Sequence, residues 1–239
     1  MTLPTRKHLW SRGFTLIELL IAVTLMAMMA ALSWRGLDGM VRAQAQTQQY
    51  SDHLLALKAG LAQWGSDLDA VAVQSGTPSL EWDGRSMRIL RRNTAVPDEG
   101  LRVVAWSRRV VEGTGQWLRW QSAPLKTRTE ARFAWQTAGV WAQNPGDNER
   151  LQEVRIVPLE RWEVFYYRGD AWSHPLSSEG ADTLGQAEDQ SATPDGVRLI
   201  LHLPPGHALG GVLTRDWFNA VSAESLAPAR PPRVEKPRL

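Results

Sequence analysis

Apolar and polar positions follow three successive regimes along the chain. From Phe14 to Trp34 the sequence reads FTLIELLIAVTLMAMMAALSW, 21 residues with one charge, Glu18. At about 1.5 Å per residue a helix of this length covers roughly 30 Å, the thickness of a bilayer's hydrocarbon core. A helical period follows: Tyr50, Leu54, Leu57, Leu61, Trp64 and Leu68 recur at spacings of three and four. They form one apolar stripe, predicted to pack on the protein's own sheet rather than to seam a coiled coil. Between the two regimes stand Gly36 and Gly39, each costing a helix about 1 kcal/mol relative to alanine, which predicts a bend or local loosening.

Beyond about residue 75 the helical period gives way to short Val- and Trp-rich runs. Strands are predicted at 79–82, 85–91, 101–109, 116–121, 132–136, 151–157, 161–168 and 197–203. Asp83-Gly84 suits a two-residue type I′ connection, Gly113-Thr114-Gly115 another turn, and Gly169-Asp170 a turn back through Trp172. Gly210-Gly211 reads as a bulge or turn. Residues 177–196 are polar, lack aromatic residues and read as a long exposed loop. Residues 224–239, ESLAPARPPRVEKPRL, hold four prolines and are expected to be disordered. The fold class expected is α+β, a long N-terminal helix packed on antiparallel sheet. The organisation expected is a leader 1–13, a transmembrane helix 14–34, an amphipathic helix 35–70, a β-rich domain 71–223 and the tail 224–239.

Charge sharpens the first regime. The pI is about 9.2, but Arg6, Lys7 and Arg12 stand within residues 1–13, which hold no acidic residue. The rest, with 24 basic against 25 acidic side chains, is about neutral. Four further basic residues fall in the Pro-rich tail. A broad positive face for phosphates is absent from the pattern, which argues against nucleic-acid binding. The basic residues before the apolar run favour a cytoplasmic N-terminus. An ordinary secretory signal has a shorter apolar core with its cleavage site after it; here Gly13 precedes the core. Glu18 is the anomaly, since an acidic side chain in a membrane helix costs about 2.5–3.5 kcal/mol at its centre and less near an end.

Arg12-Gly13-Phe14-Thr15-Leu16-Ile17-Glu18 resembles the prepilin signature of type IV pilins and of the pseudopilins of type II secretion. The resemblance implies that a prepilin peptidase cuts after Gly13, that the new N-terminal Phe14 is N-methylated, and that Glu18 serves assembly. In that role its carboxylate pairs with the α-amino group of a neighbouring subunit's Phe14, so that neither charge is buried alone. Trp34-Arg35-Gly36-Leu37-Asp38, the stripe after it, and the order of Leu159–Trp172, a variable loop and Asp195–Leu203 resemble the J-type minor pseudopilin. That likeness implies a structural subunit at a pseudopilus tip, single-pass in the inner membrane with its folded domain in the periplasm. The partners implied are I-type and K-type minor pseudopilins and the major pseudopilin. A minor pilin of a type IV pilus stays open, as does a pilin-anchored periplasmic enzyme or binding module.

Signals for chemistry are few. The chain has no cysteine, which removes disulfides and thiolate sites. His8, His53, His174, His202 and His207 show no zinc spacing, and no nucleophile elbow, P-loop or dinucleotide fingerprint occurs. No cofactor or metal and no catalytic role is expected. Asp67 and Asp69 near the helix end, with Asp182, Glu188 or Asp189, match no calcium loop and are expected to be solvated. Of the twelve tryptophans, Trp82, Trp106, Trp117, Trp120, Trp135 and Trp162 are expected to fill a core, with one or two rings left for an interface.

Overall fold

A computed structural model describes residues 14–94, 96–176, 193–206 and 209–220. The chain divides into two units, residues 1–51 and 52–239. Helix α1, Leu16–Asp69, runs without interruption for 54 residues. Gly36 and Gly39 do not interrupt the helix: both positions remain helical, and open space surrounds each glycine. The glycine penalty, about 1 kcal/mol each, is too small to break a helix held by long flanking runs of Ala, Leu, Met and Gln.

In the second unit, residues 52–69 of α1 turn Leu57, Gly60, Trp64 and Leu68 inward, all buried. This is the lower part of the predicted stripe; Tyr50, above it, is 46 % exposed. Gly60 is the closest approach, since a Cβ there would lie 2.6 Å from Ile156 Cγ2 and 3.1 Å from the Trp117 ring. The strands are β1 Leu80–Trp82, β2 Ser86–Arg92, β3 Leu101–Val111, β4 Thr114–Gln121 and β5 Glu153–Pro158, paired in that order as one antiparallel sheet. A second antiparallel sheet has the order β7 Ala171–Ser173, β6 Arg161–Arg168, β8 Gly196–Leu203, β9 Gly211–Phe218. The α+β class, a long N-terminal helix on antiparallel sheet, is thus the one observed.

Alternation along the five-stranded sheet feeds two cores. Ile89, Val104, Trp106 and Trp117 join Trp64 and Leu68 of α1 and the inner face of the second sheet, including Trp162, Val164 and Leu199. Leu90, Val103, Leu118 and Trp120 face the other way, against helix α2, Arg128–Gln143. All six tryptophans assigned to the core are buried.

Several local expectations need correction. Arg132–Gln136 is not a strand but the middle of α2. Alanines 131, 134, 138 and 142, with Trp135 and Trp141, make one buried helical face, and Thr127 with Glu130 closes a capping box at its start. The aromatic residues Phe133 and Trp135 misled where period decides. Asp83-Gly84 is not a two-residue I′ turn: Trp82 pairs with Met87, only Gly84 has positive φ, and the Asp83 carboxylate accepts from the Arg85 and Ser86 amides instead. The two-residue turns with both φ positive are Glu112-Gly113 and Gly169-Asp170. Gly211 is no bulge but opens β9, paired along its length with β8. A short helix α3, Asp147–Leu151, precedes β5. The predicted loop 177–196 and the tail 224–239 lie outside the described residues, apart from 193–196.

Asp67 is the largest departure. It was expected in solvent and is fully buried. Its Oδ1 accepts from Gln63 Nε2 at 2.8 Å, Arg119 Nη2 at 2.9 Å and Arg91 Nη1; its Oδ2 accepts from Arg119 Nε at 2.8 Å and Trp106 Nε1 at 2.9 Å. The same stripe that buries Trp64 and Leu68 carries Asp67 inside with them. Removing one member of a buried, hydrogen-bonded ion pair costs about 3–5 kcal/mol, because the partners stay behind unpaired. Asp67→Ala is therefore expected to lower the unfolding free energy of the full chain in mild detergent by about that amount, read as the shift of a urea midpoint. Asp69→Ala, which removes only the acceptor of Trp217 Nε1, is expected to cost about 1 kcal/mol.

Candidate functional site

The site that the sequence marks is the start of α1, within the first unit. Phe14 is 80 % exposed and precedes the helix, whose first residue is Leu16. Thr15 occupies the cap position. The Glu18 amide donates to Thr15 Oγ1 at 3.4 Å, while Glu18 Oε2 accepts from the Thr15 amide at 3.0 Å and its hydroxyl at 2.8 Å. Helices begin with unpaired N–H groups, and this reciprocal pair satisfies two of them. The spacing Thr-x-x-Glu announces the cap in the sequence, and the reading of Glu18 as a lone charge overlooked it. Glu18 thus has a local task as well as the one implied by resemblance. Its other oxygen, Oε1, accepts no hydrogen bond among the described residues, which leaves half of the carboxylate open to an incoming cation. Gly13, the other predicted site residue, lies outside the described residues.

Beyond the cap the helix presents apolar side chains to its surroundings. Leu19, Leu20, Ile21, Val23, Leu25 and Met26 are each more than half exposed. Covering a large apolar side chain is worth about 1.5–3 kcal/mol, so a surface of this extent calls for lipid or neighbouring helices. The polar atoms it contains are satisfied internally: Thr24 Oγ1 donates to Leu20 O at 2.8 Å. In hydrocarbon that internal bond is what makes a hydroxyl tolerable. Arg42 pairs with Asp38 one turn away, where the apolar run has ended. The helix is long and apolar enough to cross a membrane.

Elsewhere, acidic groups are engaged in the fold rather than gathered for chemistry. Glu153 accepts from Arg109 Nη2 at 2.5 Å and Trp141 Nε1 at 2.8 Å, tying β3, β5 and α2. His202 Nε2 lies 3.1 Å from Glu163 Oε1, with Arg161 beside it. Among the described residues no three His, Asp or Glu side chains gather as a metal site.

Residues 11–34 match the model of the prokaryotic N-terminal methylation motif. No curated protein matches the chain. The chain therefore carries the N-terminal methylation motif of prokaryotic type IV pilin-like proteins, joined to a fold consistent with theirs. The motif implies processing by a prepilin peptidase and assembly with other pilin-type subunits. With the apolar helix it marks a single membrane-spanning anchor.

The cap gives a prediction separate from assembly. Thr15→Val keeps the side chain's shape but removes the hydroxyl, and loss of an N-cap costs about 1 kcal/mol. Amide exchange at Glu18 and Leu19 of the detergent-solubilised protein should quicken about fivefold, with exchange in residues 52–69 unchanged.

Proposed function

We propose that this chain is a minor pseudopilin of a type II secretion system, J-type, acting as a structural subunit at the pseudopilus tip. Its role is assembly and not catalysis. The leader is removed after Gly13, Phe14 is methylated, the helix spans the inner membrane with its N-terminus cytoplasmic, and the folded domain is periplasmic. Its neighbours are I-type and K-type minor pseudopilins and the major pseudopilin.

The observation that carries this reading is the arrangement at the head of α1. A carboxylate with one open oxygen stands four residues after Phe14, at the start of an exposed apolar helix. A free α-amino group from a neighbouring subunit supplies the counter-charge such a carboxylate lacks in hydrocarbon. The J-type assignment rests on likeness at Trp34–Asp38, in the stripe after it, and in the order of elements from Leu159 to Leu203. A minor pilin of a type IV pilus shares the first argument but not the second.

Mass spectrometry of the purified protein should find a chain beginning at methylated Phe14; one beginning at Met1 or beyond residue 34 overturns the pilin reading. Glu18→Val should insert and be cleaved normally, because the cut bond lies four residues away and a charge has left the apolar run. Cross-linking to neighbouring pseudopilins in membranes should fall by at least about 100-fold, the equivalent of about 3 kcal/mol for an unpaired buried amine. Cross-linking and secretion at wild-type levels would refute the assembly role of Glu18. Capture of the I-type and K-type subunits, against capture of pilus subunits, decides between secretion system and pilus.

A further inference from the structure

A polar pocket of about 420 Å³ opens in the second unit, where the end of α1 meets the ends of β2 and β4 and the start of β3. Its lining includes Ser66, Arg91, Thr94, Glu99, Arg102 and Gln121. Arg91 is only 7 % exposed. Its guanidinium shares the fully buried Asp67 carboxylate with that of Arg119, which stands behind Gln121. Arg102 pairs with Glu99 at 3.0 Å. Around the pocket, then, the three guanidiniums of Arg91, Arg102 and Arg119 meet the two carboxylates of Asp67 and Glu99. One positive charge is in surplus, and part of it is held in a buried side chain.

The hydrogen-bonding groups are biased the same way, because the arginines use up the acceptors. Both Asp67 oxygens are taken. Glu99 Oε2 accepts from Arg102 Nη2 and from Asn93 Nδ2 at 2.7 Å. Thr94 Oγ1 accepts from Arg91 Nη2 at 3.2 Å, so the hydroxyl hydrogen is what it has left to offer. Gln121 Oε1 accepts from Arg119 Nη2 at 2.9 Å, which leaves its amide N–H groups. The Ser66 hydroxyl makes no hydrogen bond among the described residues. Spare donors beside a surplus cation are the recognition chemistry of an oxyanion, whose bonds to such groups are short and charge-assisted. Size narrows the class further. Water takes about 30 Å³ per molecule, so a small free oxyanion would leave most of this pocket to solvent. A carboxylate at the end of a side chain, entering with the backbone that carries it, uses far more of it.

We propose that this pocket receives an acidic side chain of another protein. Arg91 and Arg102 supply the counter-charge, and Ser66, Thr94 and Gln121 supply donors. The visiting carboxylate balances the charge that Asp67 leaves over, so the pocket is an interaction site built from the same arginines that hold α1 on the sheet. This inference does not depend on the secretion reading.

The test uses the full-length protein in detergent at constant ionic strength, with three probes: acetyl-Gly-Glu-Gly-amide, its neutral counterpart acetyl-Gly-Gln-Gly-amide, and inorganic phosphate. The Glu peptide should raise the melting temperature of the folded domain saturably, by about 2–4 °C, and the Gln peptide should not. Ser66→Ala, at an exposed helix position, should leave the unliganded melting temperature unchanged and weaken the Glu peptide about tenfold, the loss of one hydrogen bond to a charged group. Gln121→Glu keeps the acceptor for Arg119 and places a carboxylate in the pocket. It should raise the unliganded melting temperature by about 2–4 °C and abolish the response to the peptide. Equal responses to the two peptides, or a Glu-peptide response that survives both substitutions, would overturn the proposal. A fall in melting temperature for Gln121→Glu would overturn the surplus charge on which it stands. Stabilisation by phosphate without stabilisation by the Glu peptide would overturn it in favour of a free-ion site.

Discussion

The fold of the second unit hangs on one buried carboxylate. Asp67 comes from the last turns of α1, Arg91 from β2, Trp106 from β3 and Arg119 from β4, so four elements meet at two oxygen atoms. A pair of guanidiniums against one carboxylate leaves positive charge in excess. That excess is spread outward: Arg91 also donates to the Arg92 carbonyl and Thr94, Arg119 to Gln121. Apolar packing alone would allow α1 to slide along the sheet by a turn. The fixed forks of two arginines on one carboxylate allow a single register.

The same logic explains four of the twelve tryptophans. Trp106, Trp135, Trp141 and Trp217 each aim the indole N–H at a carboxylate, those of Asp67, Glu81, Glu153 and Asp69. A buried indole fills space as a large apolar group and needs one acceptor. Here the acceptors stand on neighbouring elements, so each ring both fills a core and fixes how two elements lie together. Among the described residues, the five-stranded sheet packs on α1 and the second sheet on one face and on α2 on the other.

Much of this was legible in the chain, for identifiable reasons. The anchor was readable from its unbroken apolar run, the stripe and most strands from their period, and five of the six core tryptophans from the strands they sit in; Trp135 is buried on a helix instead. Residues 132–136 were misread because Phe133 and Trp135 look like strand residues. The alanine spacing and the Thr-x-x-Glu cap were the better guide, and the same spacing at Thr15 and Glu18 also went unread. Strand β9 was missed because Gly210-Gly211 suggested a stop and its own alternation, one side open and one shared with β8, is weak. The Asp67 site was hidden for a deeper reason. An aspartate on an apolar stripe signals burial, but its arginines stand 24 and 52 residues away, and no local pattern announces a pairing that the fold creates.

That separation sets an order of events as the domain forms. Residue 67 is made before any strand exists to receive it. Until β4 is in place its carboxylate has no route to a dry interior, because entering one unpaired is prohibitively costly. Premature collapse of α1 onto an incomplete sheet is thereby penalised, and the final closure becomes nearly all-or-none. A chain truncated or damaged before Arg119 would stay open, its tryptophans uncovered, and be exposed to proteolysis. The buried charge thus acts as an inspection step, passing only subunits whose central sheet is whole.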